Sequence, residues 1–257
     1  MRLKIAAGNW KMNNTLQEGR KLIKTLVKDI KQNPPKQNEN ELLVICGVPF
    51  ILLRNACKLT EDFSRMKIAA QNCYSEEKGA YTGEISAEMI KSTGADYVII
   101  GHSERREYFN ESHEMLAKKV NLTLKHDLKP IFCCGEKLEI RQKDEHFNLV
   151  KKQIQESLFH LSKDEFKKVV IAYEPVWAIG TGVTASPAQA QEMHAFIRNL
   201  LNEKYGEKIA NDTSILYGGS VGAKNAKELF SQPDVDGGLV GGASLKADDF
   251  VTIINSF

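Results

Sequence analysis

Eight short runs of apolar, β-prone residues recur along the chain, at 4–8, 42–46, 67–71, 97–101, 130–134, 169–173, 214–217 and 238–240. Polar or glycine-containing turns follow them, and stretches with amphipathic helical spacing lie between them. Runs this short, with little polar alternation, read as strands covered on both faces, as in a parallel sheet. The first helix is the clearest. Thr15 and Glu18 form a capping-box pair, and Leu16, Leu22, Ile23, Leu26, Val27 and Ile30 make one apolar stripe. Asn33-Pro34-Pro35 ends that helix and opens a polar surface loop, 33–41. Further helices are predicted at 113–125, 148–161, 187–205, 224–230 and 248–254, with Ser186 as N-cap and Pro187 in the first position of the third of these. Eight strands alternating with helices through 257 residues, without a linker, predict an α/β fold. The favoured architecture is one (β/α)8 barrel domain over 1–257, with eight parallel strands and outer helices; an open doubly wound sheet is the competitor.

Composition narrows the function. A net charge of +2 without a Lys/Arg block gives no basis for nucleic-acid or anionic-membrane binding. The longest apolar run, 42–53, is too short to span a bilayer and is broken by Pro49. The N-terminus carries no signal-peptide core, so a cytoplasmic protein is expected. Five cysteines, an odd number with no C-x-x-C pair, are expected to be reduced. The six histidines show neither H-x-x-x-H nor H-x-H spacing, and no Walker sequence occurs, so neither a metal nor a nucleotide is expected. The G-x-G-x-x-A match at 180–185 is separated by Glu-Pro-Val-Trp from the strand it should follow directly.

In such a barrel, function sits at the carboxyl ends of the strands. The sixth run ends in Glu174, and Pro175, with its fixed φ and missing N–H, stops the strand there. An apolar tip, 176–179, and Gly180-Thr181-Gly182 come next. One acid on a rigid element, followed by a greasy flap with a glycine hinge, suits a base that must work in a dry site; the bland alternative is a strand end and an ordinary loop. The first run leads to Asn9 and Lys11, a donor and a cation suited to a phosphorylated substrate. The fourth leads to His102-Ser103, where Ser103 is read as the cap of the following helix. The positive end of that helix would disfavour a protonated His102 and leave a neutral imidazole able to donate to a carbonyl oxygen. Cys133 and Cys134, after the fifth run, are read as packing. The seventh and eighth runs lead to Gly218-Gly219-Ser220 and Gly241-Gly242, whose backbone N–H groups can approach an anion closely.

The segments GNWKMN at 8–13, GHSERR at 101–106, AYEPVWAIGTG at 172–182, LYGGSV at 216–221 and DGGLVGGASL at 236–245 together resemble the triosephosphate isomerase family, in its order and near its spacing, from the first strand to the last helix. The resemblance implies interconversion of dihydroxyacetone phosphate and D-glyceraldehyde 3-phosphate through an enediolate, in glycolysis and gluconeogenesis, with no cofactor. It implies the roles known for the family: Glu174 as base, His102 as electrophile, Lys11 as fixed positive charge with Asn9 beside it, and 175–181 as lid. The N–H groups of Gly180, Ser220 and Gly242 would hold the phosphate, with Gly241 supporting the turn. It also implies a homodimer in which the loop 72–84, from Asn72 past Thr82 to Glu84, enters the partner beside Asn9 and Lys11, with Glu104 and Arg105 near the interface. Two other readings remain at this point: a Schiff-base phosphosugar enzyme using Lys11, and a catalytically silent barrel that binds proteins.

Overall fold

In the computed structural model, which describes residues 2–179 and 184–257, the strands pair side by side in chain order and the last pairs with the first. They are β1 (Lys4–Asn9), β2 (Leu42–Val48), β3 (Met66–Ala70), β4 (Tyr97–Ile100), β5 (Lys129–Cys134), β6 (Val170–Tyr173), β7 (Ile215–Tyr217) and β8 (Gly237–Val240). Every pairing is parallel, and the ring closes through Ile5 opposite Gly237 and Gly8 opposite Val240. The arrangement is therefore the favoured closed barrel and not the open sheet. Gly180 and Thr181, part of the expected lid and phosphate site, lie outside the described residues.

The unbroken apolar runs are explained by two cores. Ile5, Ala7, Ile45, Ile99, Ile131, Ala172 and Leu216 fill the barrel interior. Their neighbours, including Ala6, Val44, Cys46, Ile100, Phe132 and Ile171, point outward into the layer between strands and helices. A strand covered on both sides gains from apolar residues at every position, so the period-two alternation disappears.

Capping side chains mark several of the helix starts. Thr15 and Glu18 satisfy each other's backbone at the start of Leu16–Gln32, and Ser186 and Gln189 do so at the start of Pro187–Tyr205. The helices His113–Lys125 and Pro187–Tyr205 match the predicted spans. The helix predicted at 148–161 runs instead over His146–Leu158, and a second capping box at Ser162 starts the short helix Lys163–Phe166. Leu53–Thr60, Ala87–Ser92, Leu138–Gln142 and Glu207–Asp212 are helical without having been singled out from the sequence. Each has at most about two turns, too few to display a period of 3.6 residues.

All five cysteines are buried and free. Burial pushes the Cys46 and Cys134 thiols up to about 12, which leaves them as packing groups rather than nucleophiles. His194, on Pro187–Tyr205, is fully buried between Tyr173 and Tyr217, with ring centroids 5.9 and 6.4 Å away. Its Nδ1 lies 3.3 Å from the Asp234 carbonyl oxygen, which assigns the proton of the neutral ring to Nδ1.

Burial lowers the His194 pKa from 6.5 to about 4. The folded chain thus refuses a proton that the unfolded chain accepts between those values. Stability from this group is present above pH 6.5 and is lost as pH falls towards 4, by an amount on the order of 3 kcal/mol. Urea unfolding across that range, at fixed protein concentration, should show this slope, and His194→Gln should flatten it.

Candidate active site

Because all eight strands run the same way, their carboxyl ends share one rim. A cavity of about 270 Å³ opens there, lined by Asn9, Lys11, His102 and Glu174 on one side and by 218–221 and 241–243 on the other. The sequence-predicted residues thus come together, apart from Gly180, which is not among those described.

Asn9 is the last residue of β1, and its Oδ1 accepts the Lys11 N–H at 3.1 Å. Lys11 sits at φ 52°, a left-handed conformation that costs energy for a residue with a Cβ. A third residue steadies it. Gln71 donates through Nε2 to the Lys11 carbonyl at 3.0 Å and the Gly47 carbonyl at 2.9 Å. Lys11 Nζ does not stand free over the cavity, because it pairs with Glu104 Oε1 at 2.6 Å.

Glu174 follows β6, and its N–H donates to the Cys134 carbonyl at 2.7 Å, continuing the ladder by one residue. Its side chain is only 2% exposed. A Cβ on Gly218 would lie 2.8 Å from Glu174 Cγ, so glycine is needed there to leave room for the carboxylate. Glu174 Oε2 accepts the Ser103 N–H at 2.9 Å, and Oε1 lies 3.0 Å from His102 Nε2.

Ser103, expected from the sequence to cap the following helix, is instead its first residue. The helix is Ser103–Tyr108, and His102 is its N-cap, with Nδ1 accepting the Glu104 N–H at 3.3 Å. An imidazole nitrogen reaches this donor as a capping oxygen would. The bond assigns the remaining proton to Nε2, directed at Glu174. Burial opposes the imidazolium, but the charge and hydrogen bond of Glu174, followed by the charge of Glu104, outweigh it and raise the His102 pKa. The Nδ1 bond to the Glu104 N–H suits the neutral ring, but the net shift is upward, opposite in direction to the expectation from the helix end, because the neighbouring carboxylates favour the charged form.

On the opposite wall, Gly218 N–H donates to the Tyr173 carbonyl at 2.7 Å. Ser220 turns both its Oγ, at 2.7 Å, and its N–H, at 3.2 Å, towards the Ala178 carbonyl of the flap. The N–H expected to face an anion is thus engaged by the flap. Gly242 opens the 3-10 turn Gly242–Leu245, and the Gly241 carbonyl accepts from Ser244 N–H and Oγ at 2.9 and 2.7 Å. The start of the flap, Val176–Ala178, is also a 3-10 turn. It is held by Glu136, a fully buried carboxylate that accepts from Trp177 Nε1 at 2.9 Å, Tyr173 OH at 3.0 Å and Arg141 Nη1 at 3.2 Å.

Gln71, Glu136 and Arg141 were not assigned roles from the sequence. Their partners lie up to 60 positions away along the chain, so no local pattern announces them. Among the described residues, no group of three or more His, Cys, Asp or Glu side chains is placed to hold a metal ion. No described helix is long and apolar enough to cross a membrane.

The family model described as triosephosphate isomerase matches residues 4–257. The chain is 55% identical over 257 residues to the triosephosphate isomerase of Cytophaga hutchinsonii, covering 100% of both chains. It is 55% identical to that of Porphyromonas gingivalis, again over 100% of both. With that of Flavobacterium psychrophilum the identity is 52% over 255 residues, 99% of each chain.

The raised His102 pKa depends on its carboxylate neighbours, and the burial that opposes it does not. Glu174→Gln should therefore lower the His102 pKa. NMR titration of the His102 ring in the two proteins tests this; an unchanged or higher value in the variant would contradict the geometry described.

Proposed function

The chain belongs to the triosephosphate isomerase family, and from that premise we propose which of its residues carry the reaction. The activity is interconversion of dihydroxyacetone phosphate and D-glyceraldehyde 3-phosphate through an enediolate, a step of glycolysis. The reaction moves protons between adjacent atoms of one substrate, so it calls for no external oxidant or reductant.

Glu174 is the base that takes the proton α to the carbonyl. His102 polarises that carbonyl through Nε2–H and stabilises the negative oxygen as it forms. Lys11 supplies positive charge beside the substrate oxygens, with Asn9 holding its backbone and offering an amide. The observation that carries this reading is the meeting of Glu174 and His102 at 3.0 Å in the same cavity as Asn9 and Lys11. A cavity of about 270 Å³ lies just below the roughly 300–1,000 Å³ typical of drug-sized ligands, as suits a triose phosphate.

His102 Nε2, the Glu174 carboxylate and the Ser220 N–H each have a partner within the protein, so binding is an exchange. The substrate carbonyl takes His102 Nε2–H from Glu174, and the freed carboxylate reaches the carbon acid. The phosphate takes the Ser220 N–H from the Ala178 carbonyl. Its remaining donors are the N–H groups of Gly242 and Gly180, with Gly241 supporting the turn. Because Ala178 belongs to the flap, phosphate binding and flap movement are coupled at that exchange. A closed flap then excludes water from the enediolate.

The Schiff-base alternative asks for a desolvated lysine. Lys11 is partly exposed and paired with Glu104, which is a poor setting for it.

A homodimer is part of the same proposal. Beside Lys11 lies a second, more apolar cavity of about 410 Å³, lined by Met12, Phe50, Gln71, Arg105, Tyr108 and Phe109 among others. Met12 is 97% exposed, Tyr108 70% and Phe109 60%. A cluster of such large apolar side chains suits cover by another chain, and we assign the cover to the loop 72–84 of a second copy. We also read the chain as one functional domain acting in the cytoplasm, where reduced thiols are the rule.

Glu174→Asp withdraws the carboxylate by one methylene. It should lower kcat by roughly a hundredfold or more, with circular dichroism and oligomeric mass unchanged. The assay is isomerisation of glyceraldehyde 3-phosphate coupled to NADH consumption, and an unaltered rate would remove Glu174 from its role. Sedimentation equilibrium should give the mass of two chains, and Met12→Asp should shift the balance towards one.

A further inference from the structure

In a parallel ladder, the N–H and C=O of successive residues point to opposite neighbours. Along the end of β5, Cys134 and Glu136 face β6 and its continuation. The Cys134 carbonyl accepts the Glu174 N–H at 2.7 Å, and the Glu136 carbonyl accepts the Val176 N–H at 3.0 Å. Cys133 and Gly135 therefore face β4, but β4 ends at Ile100, opposite Phe132. Beyond that point the barrel wall parts, and a cavity of about 230 Å³ separates Ser103 and Arg106 from Gly135 and Val176.

Two side chains serve the exposed edge of β5. Arg106 Nη2 donates to the Cys133 carbonyl at 2.7 Å. Gln153, from the helix His146–Leu158, takes both groups of Gly135: its Oε1 accepts the N–H at 2.8 Å and its Nε2 donates to the C=O at 3.0 Å. The amide side chain thus replaces a ladder partner. Gly135 in turn lies hard against the catalytic strand, since a Cβ placed on it would sit 1.7 Å from the Glu174 carbonyl oxygen.

We propose that Gln153 is a positioning residue for Glu174. By clamping the Gly135 peptide across the gap between β4 and β5, it sets the surface against which the Glu174 backbone rests. The inference rests on the reading of Glu174 as the base. It adds to that reading a residue on an outer helix that acts on the reaction only through backbone.

Two substitutions test it in the full-length protein. Gln153→Leu keeps similar volume beside Ile140, Leu149 and Val176 but removes both bonds to Gly135. A small displacement of the base should lower kcat about tenfold to a hundredfold while leaving KM near its wild-type value. Gln153→Glu supplies a group that both donates and accepts when protonated but repels the Gly135 carbonyl when ionised. Its kcat relative to wild type should therefore recover as pH falls, a profile that a purely structural role would not produce.

A folded Gln153→Leu protein with wild-type kcat, or with a loss confined to KM, overturns the inference. If that variant does not fold, Gln153→Glu decides, and a pH-independent ratio to wild type overturns it. Glu174→Asp in the wild-type background separates the two readings. An unchanged rate there removes the base and this inference together. A large loss there, with Gln153 variants unaffected, removes only the inference.

Discussion

The hydrogen-bond ladder closes on itself between β1 and β8, and the placement of the site depends on that closure. Eight parallel strands in a ring put eight carboxyl ends on one rim, so residues as far apart in the chain as Asn9, His102, Glu174 and Ser220 line one cavity. The ladder also explains where side chains must replace backbone. At the rim the strands end at different heights, and peptide groups left without a neighbour still require partners. Gln71 serves the carbonyls of Gly47 and Lys11, Arg106 that of Cys133, and Gln153 both groups of Gly135.

The same accounting governs the charges. Glu174 is almost wholly buried, and an unpaired carboxylate in that position would carry a large desolvation cost. It is offset by the Ser103 N–H and the His102 ring. Glu136, also buried, is satisfied by Tyr173, Trp177 and Arg141. Lys11 and Glu104 satisfy each other nearer to solvent, where their attraction is screened and worth less. The two buried carboxylates differ in the permanence of their partners. Those of Glu136 tie β6, the flap and Leu138–Gln142 together. Those of Glu174 are groups that a polar substrate can engage in its place.

Much was legible in the chain itself. The eight strands sit within one or two residues of the apolar runs, because strands buried on both faces carry few polar positions to blur them. Thr15 with Glu18 and Ser186 with Gln189 mark helix starts because capping is a local contact across three residues. Glu174, His102, Lys11, Asn9, Ser220, Gly241 and Gly242 could be singled out because each lies at or just after a strand end, and such positions in this architecture face one cavity. Four of the short helices, Leu53–Thr60, Ala87–Ser92, Leu138–Gln142 and Glu207–Asp212, were not legible, for want of a period to read, and neither were Gln71, Glu136, Arg141 and Gln153.

The amino-acid order alone determined the strand–helix alternation, the closed-barrel architecture it favours, and the chemical identity of the groups at the rim, since these follow from side-chain hydrophobicity and local backbone preference. Tertiary structure decided how those groups are engaged. It turned Lys11 to Glu104, made His102 rather than Ser103 the helix cap, set Glu174 against both His102 and Ser103, and directed the Ser220 N–H to the flap. The physical reason is range. Hydrophobic period and capping act over a few residues, whereas an ion pair at 2.6 Å between positions 93 apart, as for Lys11 and Glu104, exists only after the ladder has closed.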